Sequence, residues 1–249
     1  MTASSEKPQR KPQFAKKSLG QNFLVDKQAI SRIAGAVPEN TPLLLEIGPG
    51  RGALSTELFP RALKFCVLEK DDLFAKHIGE TLFVHGSRNH SVFHADALEF
   101  TWDRLWTESG SPVDTPLSVC ANLPYNVATE IFFRLLNLRD RIPLMVLMFQ
   151  KEVAQRIAAK PGTRDSGVLS VAAQTFYEVK LQQVLKPGAF RPSPKVDSAV
   201  LEIGCNHGRT MLGLLDYLQP PGRYDGFDIM PRQIAFAQER IHARHPHCT

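Results

Sequence analysis

The sequence predicts an α/β fold: a doubly wound, mostly parallel sheet with an antiparallel edge strand and a short αβ C-terminal tail. Three observations carry this. Apolar runs of four to eight residues alternate with helical patterns from residue 42 onward. The runs are apolar on both faces, as strands are when helices cover a sheet on both sides. A glycine-rich phrase, EIGPGRG, falls between the first run and the first helical pattern.

The elements follow in order. A buried strand is expected over 41–47 and a helix over 53–59. A second strand (64–69) and helix (71–82) come next, then a short strand over 92–94. Strands over 117–122 and 144–149 flank a helix over 128–136, and QKEVAQRIAA continues as a helix. From 169 to 203 the pattern changes. The runs 168–177 and 196–203 read as strands joined by the Pro-rich loop KPGAFRPSPK, an antiparallel addition at the sheet edge. The expected division is a basic tail (1–13), a main domain (14–203) and an atypical C-terminal segment (204–249).

Bulk properties narrow the class. The chain has 249 residues, 43% hydrophobic and 22% charged, which suits one sizeable globular core. No apolar run is long enough for a membrane-spanning helix. The N-terminus MTASSEKPQRKPQFAKK lacks a secretory apolar core, and Arg is too sparse in it for a strong mitochondrial address. Cys66, Cys120, Cys205 and Cys248 form no CxxC pair and read as reduced thiols of a cytosolic protein. His242, His245, His247 and Cys248 read as a polar terminus rather than a metal site. The net charge of +5 permits a nucleic-acid partner. Lys7, Arg10, Lys11, Lys16, Lys17 and Lys27 crowd the start, either as a solubilising tail or as an arm along RNA phosphates.

The glycine phrase has an acidic partner. Glu69 ends the second strand, 23 residues after Glu46, where a carboxylate can accept from both hydroxyls of a ribose. Two cofactors fit this plan, a dinucleotide and S-adenosylmethionine. A leading acid such as Glu46 opposes a pyrophosphate at the helix N-terminus but can help anchor the ammonium of a methionine moiety, so S-adenosylmethionine is favoured. A purely structural turn is the plain alternative. Asp96 ends the third strand and can accept from an adenine amine, or cap the segment after it.

The fourth strand ends in C-A-N-L-P-Y-N. Asn122 is polar after an apolar run, Pro124 stiffens the loop, and Tyr125 offers a flat face. Methylation of an exocyclic amine needs such a set. The amine lone pair is delocalised into the ring. Carbonyl acceptors on its hydrogens favour an sp³-like nitrogen, while an aromatic face holds the base out of its own stack. An Asn-capped turn with a buried Tyr is the structural alternative.

The chain resembles the ribosomal RNA adenine N6,N6-dimethyltransferase family. It is more similar to the small-subunit dimethylases than to the antibiotic-resistance methylases of the large subunit. The carrying phrases are KKSLGQNFLVD (16–26), LEIGPGRGALS (45–55), Glu69, HADAL (94–98), ANLPYNVAT (121–129), MFQKEVAQRI (148–157), GVLSV (167–171) and FRPSPKVDSAV (190–200). The resemblance implies a Rossmann-like methyltransferase domain. Gln21, Asn22 and Leu24 would contact the methionine end of S-adenosylmethionine, beside Glu46. Gly48 and Gly50 would flank the cofactor. Glu69, with Lys70 beside it, would hold the ribose. Asp96 and the backbone at Ala97 would hold the adenine. Asn122 and the Leu123 carbonyl would bind the target amine, with Pro124 stiffening the loop. Tyr125 would stack on the base, and Phe190 would pack on its other side. The implied partner is rRNA of the small subunit, bound by a cytoplasmic monomer with no metal and no membrane contact. Large-subunit methylation, or an assembly or transcription factor on the same fold, is the alternative.

Two departures stand out. Ser166 occupies a position where the family often has Tyr, which reads as a tolerated surface change. After Val200 the resemblance stops. Family members usually continue into a small helical domain, whereas here LEIGCNHG repeats the glycine phrase and Asp228 follows Glu202 by 26 residues. That segment, with helices expected over 210–218 and 231–244, resembles the opening of a second methyltransferase. The expected consequence is weak binding to small ribosomal subunits that falls steeply with salt. Filter binding across a salt series checks this, and tight binding indifferent to salt refutes it.

Overall fold

The computed structural model describes residues 21–81 and 89–205. The basic N-terminal residues 1–20, the second glycine turn, Asp228, the expected helices over 210–218 and 231–244 and the His/Cys terminus lie outside the described residues. The elements run β1 (Phe23–Leu24), α1 (Lys27–Gly35), β2 (Leu43–Ile47), α2 (Ser55–Leu58), β3 (Phe65–Glu69), α3 (Asp72–Thr81), β4 (His90–His94) and α4 (Asp103–Ser109). They continue with β5 (Leu117–Asn122), α5 (Ala128–Leu136), β6 (Leu144–Gln150), α6 (Lys151–Ile157), α7 (Val168–Gln174), β7 (Tyr177–Leu185), β8 (Phe190–Arg191) and β9 (Ser198–Cys205).

Seven strands form one sheet in the order β4-β3-β2-β5-β6-β9-β7. The first five are parallel, β9 runs against β6, and β7 runs against β9 and so in the direction of the first five. The central strands are apolar on both faces because both faces are covered. Leu45, Ile47, Val119 and Leu147 pack on one side with Trp106 of α4, Phe132 of α5, Ile157 of α6 and Ala173 of α7. Leu44, Val67, Cys120 and Val146 pack on the other with Ile30 and Ile33 of α1, Leu58 of α2 and Ile78 of α3. Cys66 and Cys120 are free, buried thiols.

Three local readings need correction. First, α1 precedes the alternation that begins near residue 42. Asp26 caps it, its side chain accepting from the Gln28 and Ala29 amides at 2.9 and 3.1 Å. Its buried stripe of Ala29, Ile30, Ile33 and Ala34 has helical spacing but is short. Second, residues 168–174, expected as strand, form α7. The Ser170 hydroxyl accepts from the Gly167 amide and donates to its carbonyl, both at 2.9 Å, which closes the first turn. Val168 and Val171 made the run look β-like, yet they face solvent while Ser170 and Ala173 are buried. Ser166 is half-buried and bonds Ser170 at 3.3 Å, so it joins this cap rather than standing free on the surface. Third, β1 and β8 pair antiparallel, Phe23 opposite Arg191 and Leu24 opposite Phe190, a contact no local pattern foretells.

The two LEIG phrases lie at similar levels of the same sheet but run in opposite directions. In β2, Ile47 leads directly to Gly48 at the carboxyl ends of the parallel strands. In β9, Ser198 lies opposite Gln150 at the end of β6, and Gly204 lies opposite Leu144 at its start. The second phrase therefore runs away from the edge where the first one ends. Leu201 and Ile203 serve the sheet's own core.

Glu46 is the exception in an otherwise apolar β2. It alternates with Leu45 and Ile47, so it points to the α1 face, where it is 2% exposed. Its Oε2 has no hydrogen-bond partner among the described residues. Burial pushes its carboxyl up to about 8, against the pull of the Ser55 hydroxyl and with a further push from Glu69. Across the sheet its neighbour is Cys120. The folded chain thus keeps a proton that the unfolded chain releases near 4.5. Folding takes up a proton between those values, so this carboxyl makes stability fall as pH rises from about 4.5 to about 8. Glu46→Gln removes that slope. In urea titrations at stepped pH, the wild-type stability minus that of the variant should decline across this window and level off above it. A flat difference would show Glu46 ionised in the fold.

Candidate active site

The carboxyl ends of four adjacent parallel strands converge on one cleft. Gly48 and Gly50 follow β2, Glu69 and Lys70 end β3, Ala95–Ala97 follow β4, and Asn122 ends β5. This is the crevice in which open α/β sheets hold ligands. Leu123, Pro124 and Tyr125 continue its wall, and Gln21, Asn22 and Phe23 close it from above the glycine loop.

The glycines earn their places by conformation. Gly48, Gly50 and Gly52 all have positive φ (69°, 53° and 78°). At Gly50 space is also short, because a Cβ there would sit 2.8 Å from the Phe23 ring. The close approach that glycine permits is thus first an approach of the chain to itself. Phe23 packs edge-on against Phe74 at 5.2 Å, and the Arg51 guanidinium lies over its face at 4.7 Å.

Two carboxylates face the cleft in different states. Glu69 is buried, and its oxygens accept from the Gly50 amide at 3.0 Å and the Asp71 amide at 2.8 Å. Burial raises its carboxyl above the ordinary range, only partly countered by those amides. Asp96 lies nearer solvent. Burial alone would raise it, but the Lys70 ammonium at 2.6 Å and the Leu98 amide at 3.0 Å hold it below the ordinary carboxylate value. Gln21 reaches Asp71 at 3.4 Å, tying the covering segment to the turn after β3.

On the other wall, the Asn122 side-chain amide donates to the Asn22 backbone carbonyl at 2.9 Å. This fixes which way the amide faces: its NH₂ is used by the chain, and its Oδ1 is turned the other way. Tyr125 is half-buried, and its hydroxyl meets the Ser198 hydroxyl at 2.5 Å. Burial raises the phenol, with the Ser198 contact pulling it down in part, so Tyr125 is neutral.

Most of the residues singled out from sequence line this cleft: Gln21, Asn22, Gly48, Gly50, Glu69, Lys70, Asp96, Ala97, Asn122, Leu123, Pro124 and Tyr125. Three do not. Glu46 lies beneath it, buried on the α1 face. Leu24 is buried in the same layer, because alternation in β1 turns Phe23 to the cleft and Leu24 to the core. Phe190 is 0% exposed and packs with Leu24, so it presents no face to a base in this structure. Pairing of β8 with β1 seals it in. Two side-chain contacts of the site were not foreseen, Phe23 over Gly50 and Ser198 on Tyr125, nor was the apolar wall that includes Leu68 and Ile131. The first could have been found by asking which half of Phe-Leu must face out. The second gives no local signal, being 73 residues from its partner. Among the described residues no group of three or more His, Cys, Asp or Glu could hold a metal ion, and no helix is long and apolar enough to cross a membrane.

Comparison with known proteins gives a consistent result. Residues 13–213 match the family described as ribosomal RNA adenine dimethylase, so the likeness continues past Val200, where the sequence reading ended it. Ribosomal RNA small subunit methyltransferase A of Geobacter sulfurreducens is 42% identical over 188 residues, which are 75% of this chain and 66% of that protein. The chain thus spans just under two thirds of that relative's length. A dimethyladenosine transferase from Plasmodium falciparum superposes with a TM-score of 0.65 at 26% identity, covering 78% of this chain and 66% of that one. The 23S rRNA methyltransferase ErmE superposes with a TM-score of 0.63 at 28% identity, covering 74% of this chain and 70% of its own. With its glycine loop, its strand-end carboxylates and its NLPY wall around one cleft, the chain belongs to the ribosomal RNA adenine dimethylase family.

Proposed function

We propose that this protein transfers methyl groups from S-adenosylmethionine to N6 of adenine in small-subunit rRNA, twice per base. The observation that carries the reading is the bond from the Asn122 amide to the Asn22 carbonyl. An asparagine whose NH₂ is already committed offers the cleft an acceptor, and an exocyclic amine is a donor. The names of the small-subunit relatives support the choice of RNA.

The cleft suits the cofactor. Glu69 and Asp96 end neighbouring strands, as acceptors for ribose hydroxyls and an adenine amine should. Leu68, Ala97 and Ile131 supply apolar wall between and around them. Gln21 and Asn22 cover the glycine loop, where the methionine end would lie. When bound, S-adenosylmethionine supplies an electrophilic methyl group on a sulfonium.

The chain's own residues prepare the amine. Asn122 Oδ1 and the Leu123 carbonyl accept its two hydrogens. This draws the nitrogen lone pair out of conjugation and aims it into the cleft. The Tyr125 ring stacks on the base and replaces the neighbours it has left. Pro124 limits the loop's freedom between these two groups. No strong base is called for, because nitrogen loses its proton readily once it carries the new bond to carbon. Such work belongs to a cytoplasmic monomer at the ribosomal subunit.

Asn122→Ala should reduce methyl transfer roughly 100-fold or more, while the melting temperature falls only by the few degrees that one lost hydrogen bond to the Asn22 carbonyl accounts for. The assay is labelled methyl transfer to small subunits lacking the modification, followed by nucleoside analysis. Undiminished N6-methyladenosine formation by the variant would end this assignment. Label found in large-subunit RNA instead would move the substrate to the other subunit.

A further inference from the structure

We infer that Ser198 is a positioning residue for Tyr125: its hydroxyl pins the Tyr125 hydroxyl and so sets the tilt of the ring that meets the target base. The inference rests on the proposed function above, and it adds a residue that touches neither base nor cofactor.

Three features carry it. Tyr125 sits in the loop between β5 and α5, where the backbone has only a short turn, Val127 amide to Pro124 carbonyl at 3.1 Å. A ring on such a loop can swing about both side-chain torsions unless its far end is held. The far end is held by Ser198, at 2.5 Å. Ser198 is in turn immobile. It is 0% exposed and lies in β9 opposite Gln150 of β6 and Leu185 of β7. The residue before it is tied on both sides: the Asp197 carbonyl accepts from the Lys151 amide at 2.9 Å, and the Asp197 carboxylate pairs with Lys186 at 2.8 Å.

A serine hydroxyl buried in a strand adds nothing to packing that alanine would lack, and its desolvation is unfavourable unless it is bonded. Here the bond goes to the one aromatic side chain of the NLPY wall. The contact also directs the Tyr125 hydroxyl toward β9. Tyr125 therefore works through its ring face, and its oxygen is no proton acceptor for the reacting amine.

A double-mutant cycle tests this on the full chain. Ser198→Ala and Tyr125→Phe each delete the contact and keep the ring. Each should slow single-turnover methyl transfer to unmodified small subunits about three- to tenfold, the range of one net hydrogen bond. The double variant should be no slower than the slower single one. Cofactor affinity should be unchanged in all three. Labelling with 3-fluorotyrosine adds a readout that needs no substrate: the Tyr125 fluorine resonance, assigned by its absence in Tyr125→Phe, should shift in Ser198→Ala. An unshifted resonance, an unchanged Ser198→Ala rate, or losses that multiply in the double variant would overturn the role. Absence of methyl transfer by the wild-type chain would instead overturn the functional reading itself.

Discussion

The bond between the Asn122 amide and the Asn22 carbonyl joins residues 100 apart in sequence. Much of the site depends on it. It secures the segment that covers the glycine loop, and it orients the side chain that would receive the amine. The same segment is held from two further directions, by β8 through strand pairing and by the ring of Phe23 on Gly50. Covering the cleft and arming it are thus one event. A chain in which residues 21–24 lifted away would lose the wall over the cofactor end and the orientation of Asn122 together.

The layout also divides labour among the carboxylates. All three acids sit near one another, yet burial and partners set them differently. Glu46, buried without a partner for one oxygen, keeps its proton. Glu69 is buried but supported by two amides. Asp96 is held ionised by Lys70. Only Glu69 and Asp96 line the cleft, so the group best suited to remain uncharged is the one set beneath it. A cation approaching from above would act on Glu46 through the fold rather than through contact.

Much of this was legible in the sequence, because the carrying signals are local. Apolar runs on both faces announce a covered parallel sheet, and glycines after a strand announce a turn. An Asn-Leu-Pro-Tyr phrase at a strand end has few structural uses. What was not legible is non-local. Nothing in FL or FR says that these dipeptides pair, and that pairing buries Phe190 and Leu24 while turning Phe23 outward. Valines in 168–174 spoke for strand, and a single serine hydroxyl closing the first turn decided for helix. The repeated LEIG shows the same limit. Identical letters lead into a glycine turn at the cleft from β2 and into plain core in β9, and only the direction of the strand separates them.

That direction has a consequence for the two ends of the strand. Since β9 runs against β6, the strand begins at the cleft edge with Ser198 and ends at the opposite edge with Cys205, roughly 24 Å away at about 3.4 Å per residue. The start of β9 is therefore tied to the geometry of the cleft through Ser198, while its far end at Cys205 lies well away from it. One strand thus carries at its two ends an obligation to the cleft and a freedom from it.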